Sequence, residues 1–438
     1  MKSIAVLGGG ESGIGAALLA KAKKLEVFVS DFGSISEEHK DILKNKNIPF
    51  EEGGHSIDKI ESADIIVKSP GIPEEAKVIR HFRLRQKTII SEIEFASRFY
   101  TGKIIGVTGS NGKTTTTSLI YHLINNADAV VGIGGNIGYA FSRLLLDDID
   151  YDWVVLEMSS FQLDDICNLQ IDIGVILNIT ADHLDRYQFD IDRYADAKWR
   201  LAEAIRPNGH LILEKENKMI NTRLESYRKD VQVHRLSAIN PMITLPSKEG
   251  SDSFEIQLKG KHNLFNAAVA VLVARLYGCS DAQIIRNLSS FKAIEHRMEL
   301  VISHNEIDYI NDSKATNVES ALKALEGLNQ TVIWIAGGTD KGNDYQVMES
   351  VVQSRVKMLI CLCVDDSKLR SAFDKIVDKI VSVTTMREAV DLATKNAKQG
   401  DVVLLSPACA SFDLFDNYKH RGDSFRDEVL KMTGESNK

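Results

Sequence analysis

The chain has 438 residues, 44% of them hydrophobic and 26% charged, with 53 lysines and arginines against 61 aspartates and glutamates. This is the composition of a folded globular protein, and the length allows two or three domains, each with its own core. A net charge of −8 argues against a protein whose main task is gripping nucleic acid or an anionic membrane, while leaving room for a local basic pocket for a phosphorylated small molecule.

From the start, MKSIAVLGGG passes directly into a strand pattern, with no basic leader or small-residue cleavage site, so no signal peptide is expected. Short β-rich runs then alternate with helical patterns: SIAVLG, EVFVSD, ADIIVKS, KIIGVTG, WVVLEMS, DIGVILNIT, GHLILE, TVIWIAGG, VKMLICLCV and DVVLLSPA. Such alternation predicts an α/β fold of parallel sheets covered by helices on both faces. Between the first strand and its helix, Gly8, Gly10 and Gly13 form G-x-G-x-x-G, and Asp31 ends the next strand at the spacing of a ribose-binding acid. Glycines there let the backbone approach a diphosphate, and the helix N-terminus offers it unpaired N–H groups. The pattern indicates a dinucleotide or a nucleotide diphosphate without saying which, and a tight turn with no ligand would read the same.

Further on, GVTGSNGKTTTT again follows a strand and opens a helix. Gly112, Lys113 and Thr114 stand in the order of a phosphate-binding loop, with Lys113 for the phosphates and the Thr114 hydroxyl for Mg²⁺. The first glycine of the general pattern would fall at Val107, so the match is imperfect. WVVLE brings Glu157 to a strand end, where a carboxylate can reach a metal beside the phosphates. DIGVILNIT leads into Asp182 and His183 at the same edge; each acid or histidine alone could be an ordinary loop residue, but three such strand ends point to a shared metal–phosphate site. In the helical segment IDRYADAKWRLAEAI, Ile191, Tyr194, Ala195, Lys198, Leu201, Ala202 and Ile205 share one stripe, so Lys198 is expected to face inward, the alternative being a lysine snorkelling along the helix edge.

Boundaries are expected near residues 92 and 294, where SEIEFASRFYTGK precedes the second glycine loop and SSFKAIEHRMEL separates a long helix from new strands. Cys167, Cys279, Cys361, Cys363 and Cys409 are scattered, with no CxxC pair, which fits a reducing cytoplasm. No apolar run approaches the roughly 20 residues of a membrane span.

The second loop resembles the ATP loop of the muramyl ligases and of folylpolyglutamate synthase, which accounts for its unusual glycine spacing. GGNIG (134–138), LEMSSFQLD (156–164), LNITADHLDRY (177–187), GKHNLFNAAVA (260–270), HRMELV (296–301), NDSKATN (311–317) and LLSPACASFD (404–413) are similar to the branch of that family that adds D-glutamate. The resemblance covers nearly the whole chain and implies three domains: a Rossmann-like domain (1–92) for the UDP-substrate, a central P-loop domain (93–293) for ATP, and a C-terminal Rossmann-like domain (294–438) for the amino acid. It implies that Ser12, Gly13, Asp31, Gly71 and Asn136 contact the UDP-sugar. ATP would lie on Gly109, Ser110, Asn111, Gly112, Lys113, Thr114 and Thr115, with Asn263, Asn266, Arg297 and Asp312 around its base, ribose and phosphates. Lys314 would reach the transferred phosphoryl group, and Thr316, Lys341, Ser411, Phe412 and Tyr418 would hold D-glutamate. Two Mg²⁺ ions are implied, one at Thr114 and Glu157 and one near His183 and Lys198, the lysine being carbamylated in this family. Phe32 and Gly33 depart from the polar pair some relatives carry after Asp31, and the glycine pattern before Lys341 differs locally from that of some relatives.

The implied reaction is ATP-driven joining of D-glutamate to UDP-N-acetylmuramoyl-L-alanine in a cytoplasmic monomer, through an acyl phosphate, with Lys113, His183, Lys198 and Lys314 in catalytic roles. No nucleic acid or membrane partner is expected. Another muramyl- or folylpolyglutamate-type ligase is the nearest alternative. A nicotinamide oxidoreductase would leave Lys113, Thr114 and Glu157 without a task, and a non-catalytic ATP switch would leave the inward Lys198 and the SPACAS segment unexplained.

Overall fold

All ten β-rich runs lie in sheets of the computed structural model, which describes residues 1–125, 129–239, 261–291, 295–340 and 343–434. The described residues fall into two compact units, one ending at Phe291 and the other following it.

In the first unit, β1 (Ser3–Leu7), β2 (Glu26–Ser30), β3 (Phe50–Glu51), β4 (Ile65–Lys68) and β5 (Ile89–Ser91) form a parallel sheet in the order β3-β2-β1-β4-β5. Alternate residues of β1 feed opposite cores: Ile4 and Val6 enter one apolar cluster, Ala5 and Leu7 the other. This is why the strand reads as a continuous apolar run, as strands covered on both faces do.

The same unit carries a second parallel sheet. Its strands are β6 (Lys103–Thr108), β7 (Val131–Gly135), β8 (Trp153–Glu157), β9 (Ile171–Ile176), β10 (Ile205–Glu214) and β11 (Gln232–Leu236), ordered β11-β10-β9-β6-β8-β7. The functional consequence is that β9, β6 and β8 are neighbours, so their C-terminal ends form one edge.

Buried charges join the two sheets. Lys68 at the end of β4 lies 2.7 Å from Asp165, which also pairs with Arg83, and Glu74 accepts from both cations. Glu94 is wholly buried, and its Oε2 accepts from the backbone N–H groups of Cys167, Asn168 and Leu169 at 3.0, 2.9 and 2.9 Å, while Arg98 donates to Oε1. Glu94→Ala would leave those donors without an acceptor. It should destabilise the first unit by about 3 kcal/mol, seen as a lower urea midpoint; an unchanged midpoint would mean the three N–H groups find other acceptors.

The second unit has β12 (Glu299–His304), β13 (Ile307–Asn311), β14 (Val332–Ala336), β15 (Val356–Leu362), β16 (Ile380–Val383) and β17 (Val402–Leu405), in the order β12-β13-β17-β14-β15-β16. Here the expectation of purely parallel sheets meets an exception, because β12 pairs antiparallel with β13. Asn305 and Glu306, which join them, both have positive φ (52° and 59°), the backbone of a two-residue hairpin turn that returns the chain beside itself. Trp334 of β14 packs into one core and Ile333 and Ile335 into the other, so helices cover both faces.

Candidate active site

At the C-terminal edge of the first sheet the glycine loop is drawn tight. A Cβ on Gly13 would stand 1.9 Å from the Gly8 carbonyl oxygen, so only glycine allows this helix to approach the strand so closely. The Asp31 carboxylate accepts from Gly9 N at 2.6 Å and Gly33 N at 2.7 Å. It therefore shapes the loop and already has a backbone donor on each oxygen, unlike an acid kept for a nicotinamide ribose. Ser12 lies in the first turn of the helix Glu11–Ala22.

The second glycine loop links β6 to the helix Lys113–Ile124. Gly112 caps that helix with φ +83°, and a Cβ there would meet Asn266 Oδ1 at 2.6 Å. Asn266 and Asn263 are both buried in the helix Lys261–Tyr277, so two residues far along the chain are brought to the loop. The segment after β9 clamps the other side. Asn111 N donates to Asn178 Oδ1 at 2.8 Å, and Ser110 Oγ bonds the Thr180 carbonyl at 2.9 Å and Tyr194 OH at 3.1 Å. Thr114 is buried in the first helical turn, and the Thr115 hydroxyl is buried with no hydrogen-bond partner among the described residues.

Two ammonium groups converge on one carbonyl. Lys113 Nζ donates to Gly109 O at 2.7 Å and to Ser110 O at 2.8 Å, and Lys198 Nζ donates to the same Gly109 O at 3.0 Å. Lys198 is 1% exposed, in agreement with its place in the apolar stripe, and its Nζ lies 4.6 Å from the centre of the Tyr194 ring. Burial, reinforced by the neighbouring Lys113 charge, pushes its pKa well below the ordinary lysine value, against the pull of Asp182, Asp164 and Glu157.

Glu157, at the end of β8, is 2% exposed; its Oε1 accepts from Asn136 Nδ2 at 2.8 Å. Asn136, just after β7, thus sits beside the acid at the edge of the central sheet. His183 follows β9 with φ +53°, its Nε2 lying 3.7 Å from Asp182 and its ring edge-on to Phe161. Arg186, which the sequence reading did not single out, donates to the Gly71 and Pro70 carbonyls at 3.1 and 3.3 Å and so ties the first sheet's edge to the turn after His183. The signal was there in LNITADHLDRY, which also holds Asn178.

In the second unit the segment 296–299 is unusually bent. His296 and Met298, on either side of Arg297, both have positive φ (61° and 46°), a cost tolerated where the fold must aim a side chain. Arg297 Nε is buried with no hydrogen-bond partner among the described residues. The Asp312 carboxylate accepts from Met298 N at 3.2 Å and Ser406 Oγ at 2.8 Å, and burial raises its pKa to about 6 despite the nearby Arg297. Lys314 Nζ lies 5.0 Å from the centre of the Tyr418 ring, and Thr316 N donates to Lys314 O at 2.9 Å. Ser411 is buried and Phe412 is exposed; Lys341 lies outside the described residues.

Arg421 is the functional-region residue that sequence reasoning missed here. Fully buried, it donates to Ser313 Oγ and O at 3.0 and 2.9 Å and to Cys409 O at 3.2 Å, so one guanidinium joins the loops after β13 and β17. An arginine within a helix looks like a surface charge in sequence, and nothing local marks it.

No three His, Cys, Asp or Glu side chains among the described residues are grouped so as to hold a metal ion by themselves. Thr114 and Glu157 supply the hard oxygen donors that suit Mg²⁺ shared with nucleotide phosphates.

Sequence-family comparison matches the MurD N-terminal domain over residues 3–78, the Mur ligase middle domain over 107–274 and the Mur ligase, glutamate ligase domain over 296–409. The UDP-N-acetylmuramoylalanine--D-glutamate ligase of Christiangramia forsetii is 43% identical, aligned over 98% of this chain and 100% of its own. Its namesake from Porphyromonas gingivalis is 44% identical over 98% of each chain. Among solved structures, the UDP-N-acetylmuramate-alanine ligase MurC from Thermotoga maritima shares the fold, with TM-score 0.61, 16% identity and coverage of 98% and 99%. So does the MurF ligase from Thermotoga maritima in complex with ADP, with TM-score 0.59, 17% identity and coverage of 93% and 95%. With all three segments matched in order and full-length relatives well above 30% identity, the chain belongs to the Mur ligase family, in its UDP-N-acetylmuramoylalanine--D-glutamate ligase branch.

Proposed function

We propose that this chain joins D-glutamate to the L-alanine carboxylate of UDP-N-acetylmuramoyl-L-alanine at the expense of ATP, a step of peptidoglycan precursor synthesis. The convergence of Lys113 and Lys198 on the Gly109 carbonyl, flanked by Glu157, is the observation that carries the chemistry. In this reading residues 1–92 hold the UDP-substrate, 93–293 hold ATP and 294–438 bring in the amino acid.

A carboxylate is a poor acyl donor at neutral pH, so the alanine carboxylate attacks the γ-phosphorus of ATP, ADP leaves, and an acyl phosphate remains. The D-glutamate amine then displaces phosphate from the acyl carbon and loses a proton. Negative charge spreads over the phosphoryl oxygens in the first step, and Lys113 and Lys314 are assigned to stabilise it. To do so Lys113 exchanges its bonds to Gly109 O and Ser110 O for phosphate oxygens. Glu157 and the Thr114 hydroxyl would hold one Mg²⁺, with a second near His183 and Lys198; bound there, the ions neutralise phosphate charge. Among the described residues neither Arg297 Nε nor the Thr115 hydroxyl has a hydrogen-bond partner, which supports giving both to the nucleotide. Gly109, Ser110, Asn111, Gly112, Asn263, Asn266 and Asp312 complete the ATP set, Ser12, Gly13, Asp31, Gly71 and Asn136 the UDP-substrate set, and Thr316, Lys341, Ser411, Phe412 and Tyr418 the D-glutamate set.

We further read the enzyme as a cytoplasmic monomer. All five cysteines are free thiols, which supports a reducing compartment, and no described helix is long and apolar enough to cross a membrane. The test is phosphate release from ATP. It should require both UDP-N-acetylmuramoyl-L-alanine and D-glutamate, and release with L-alanine or a diamino acid in place of D-glutamate would instead favour another ligase of the family.

A further inference from the structure

Three helices of the first unit meet around a carboxyl group that the proposed reaction does not use. Glu92 opens the helix Glu92–Ser97 after β5, and the helices Glu11–Ala22 and Phe141–Leu144 both pack against that helix. Glu92 is 1% exposed; its Oε1 accepts from Ser142 N at 2.5 Å, while its Oε2 is buried with no hydrogen-bond partner among the described residues. Glu11 is in the same condition, because its Oε2 accepts from Arg143 at 3.0 Å and its Oε1 is buried without a partner among the described residues. A Cβ on Gly15 would stand 3.2 Å from Arg143 Cγ and 3.5 Å from Ser142 Cβ, so residues 142 and 143 are fixed tightly against the first helix. The other charged groups on the packed elements are committed elsewhere: Arg143 to Glu11, Lys21 to the Asn47 carbonyl, Lys68 of β4 to Glu74 and Asp165, and Glu94 to Arg98 and three backbone N–H groups. None of these cations is left for Glu92. Burial raises the pKa of Glu92 to about 7, opposed by hydrogen bonding from Ser142 and assisted by the Glu11 charge.

We propose that Glu92 is a positioning residue of the UDP-substrate site, kept as a neutral carboxylic acid so that Glu11 and the bound diphosphate are not faced by a second buried anion; the inference rests on the ligase reading above. Glu11 immediately precedes Ser12 and Gly13, and Arg143 lies in the helix that follows Asn136, all three being residues assigned to the UDP-substrate. The Glu11–Arg143 pair therefore joins two stretches of chain that hold this ligand. With Glu92 ionised, two carboxylates would compete for the one guanidinium, and a buried charge is little screened by salt. The diphosphate, itself dianionic, would then bind against an added negative charge. Its binding thus favours the protonated acid, and by linkage it draws a proton onto Glu92 wherever that group is partly ionised. The sign follows: affinity is highest below the folded pKa of Glu92 and falls as pH rises through it.

Calorimetric titration of the full-length protein with UDP-N-acetylmuramoyl-L-alanine at about pH 6 and about pH 8.5 tests the proposal; the diphosphate of this ligand is esterified at both ends and its carboxylate titrates far below that range, so its own charge stays constant. Wild type should bind roughly tenfold more weakly at the higher pH, the effect of a one-unit difference in pKa between free and bound protein. At about pH 7.5 the heat should vary with the ionisation enthalpy of the buffer in the sense of proton uptake. Glu92→Gln, the uncharged isostere of the neutral acid, should keep the acid-pH affinity at both values and take up no proton. If instead the glutamine variant shows the wild-type pH dependence, or loses affinity equally at both values, Glu92 is merely structural and the proposal is overturned with the ligase reading intact. Absence of proton uptake by the wild-type protein would overturn it likewise, whether or not the variant folds. Failure of the wild-type protein to bind the ligand at either pH would overturn both.

Discussion

Replacing Lys113 by alanine is expected to lower ATP turnover by roughly a thousandfold, the scale on which a preorganised charge stabiliser acts, while leaving UDP binding nearly unchanged. Lys113 is the first residue of its helix, and its ammonium donates to the Gly109 and Ser110 carbonyls of its own loop. Alanine preserves the helix, since it has the highest helix propensity. The UDP-substrate is assigned to the first sheet, whose glycine loop is held by Asp31 and not by anything on Lys113. Phosphate release and UDP titration on the same preparation decide the matter. A folded variant that loses UDP affinity as severely as turnover would contradict the assignment of the two ligands to different sheets.

The second large effect concerns Lys198. Its ammonium is buried, shares an acceptor with Lys113, and is driven toward the neutral amine by desolvation first and by the Lys113 charge second. The neutral amine is the form that reacts with CO₂, and the resulting carbamate is an anion able to face a metal ion. Lys198→Arg, which keeps a positive charge, should therefore be nearly as damaging as Lys198→Ala, each lowering turnover by about a hundredfold or more. Removing CO₂ should lower wild-type activity, and protein equilibrated with ¹³C-bicarbonate should show a carbamate resonance that Lys198→Arg lacks. An arginine variant with most of the wild-type rate would make residue 198 a plain phosphate-binding cation.

The same group gives a pH-dependent stability term of known sign. The unfolded lysine is protonated up to its ordinary pKa, and the folded one resists protonation. The penalty for folding a charged Lys198 is thus complete below the depressed folded value and fades as pH rises toward the unfolded value. Lys198→Met, of similar length and uncharged, should accordingly melt no lower than wild type at neutral pH while being inactive. A marked fall in its melting temperature would mean that the ammonium is well paired in the fold.

The fold class was written in the chain because a strand covered on both faces must be apolar along its whole length, and most of these runs here end in a glycine or acidic turn. The glycine loops were legible for a related reason: at Gly13 and Gly112 backbone or a buried asparagine occupies the place of a side chain, so no other residue serves. Lys198 could be placed by helical spacing alone. What needed the tertiary structure was everything set by strand order and by distant partners. The shared edge of Lys113, Glu157 and His183 was expected from their strand ends, and the order β9-β6-β8 is what realises it, whereas only the packing of the helix Lys261–Tyr277 brings Asn266 to Gly112. The antiparallel β12 escaped because HNEI lacks the usual glycine for a turn with two positive φ angles. Arg421 escaped because its partners, Ser313 and the Cys409 carbonyl, are 108 and 12 residues away, and a buried cation satisfied by carbonyl groups leaves no periodic trace in sequence. Local chemistry fixes what a residue can do within a few neighbours, whereas the meeting of residues from separate strand ends depends on how whole sheets are ordered.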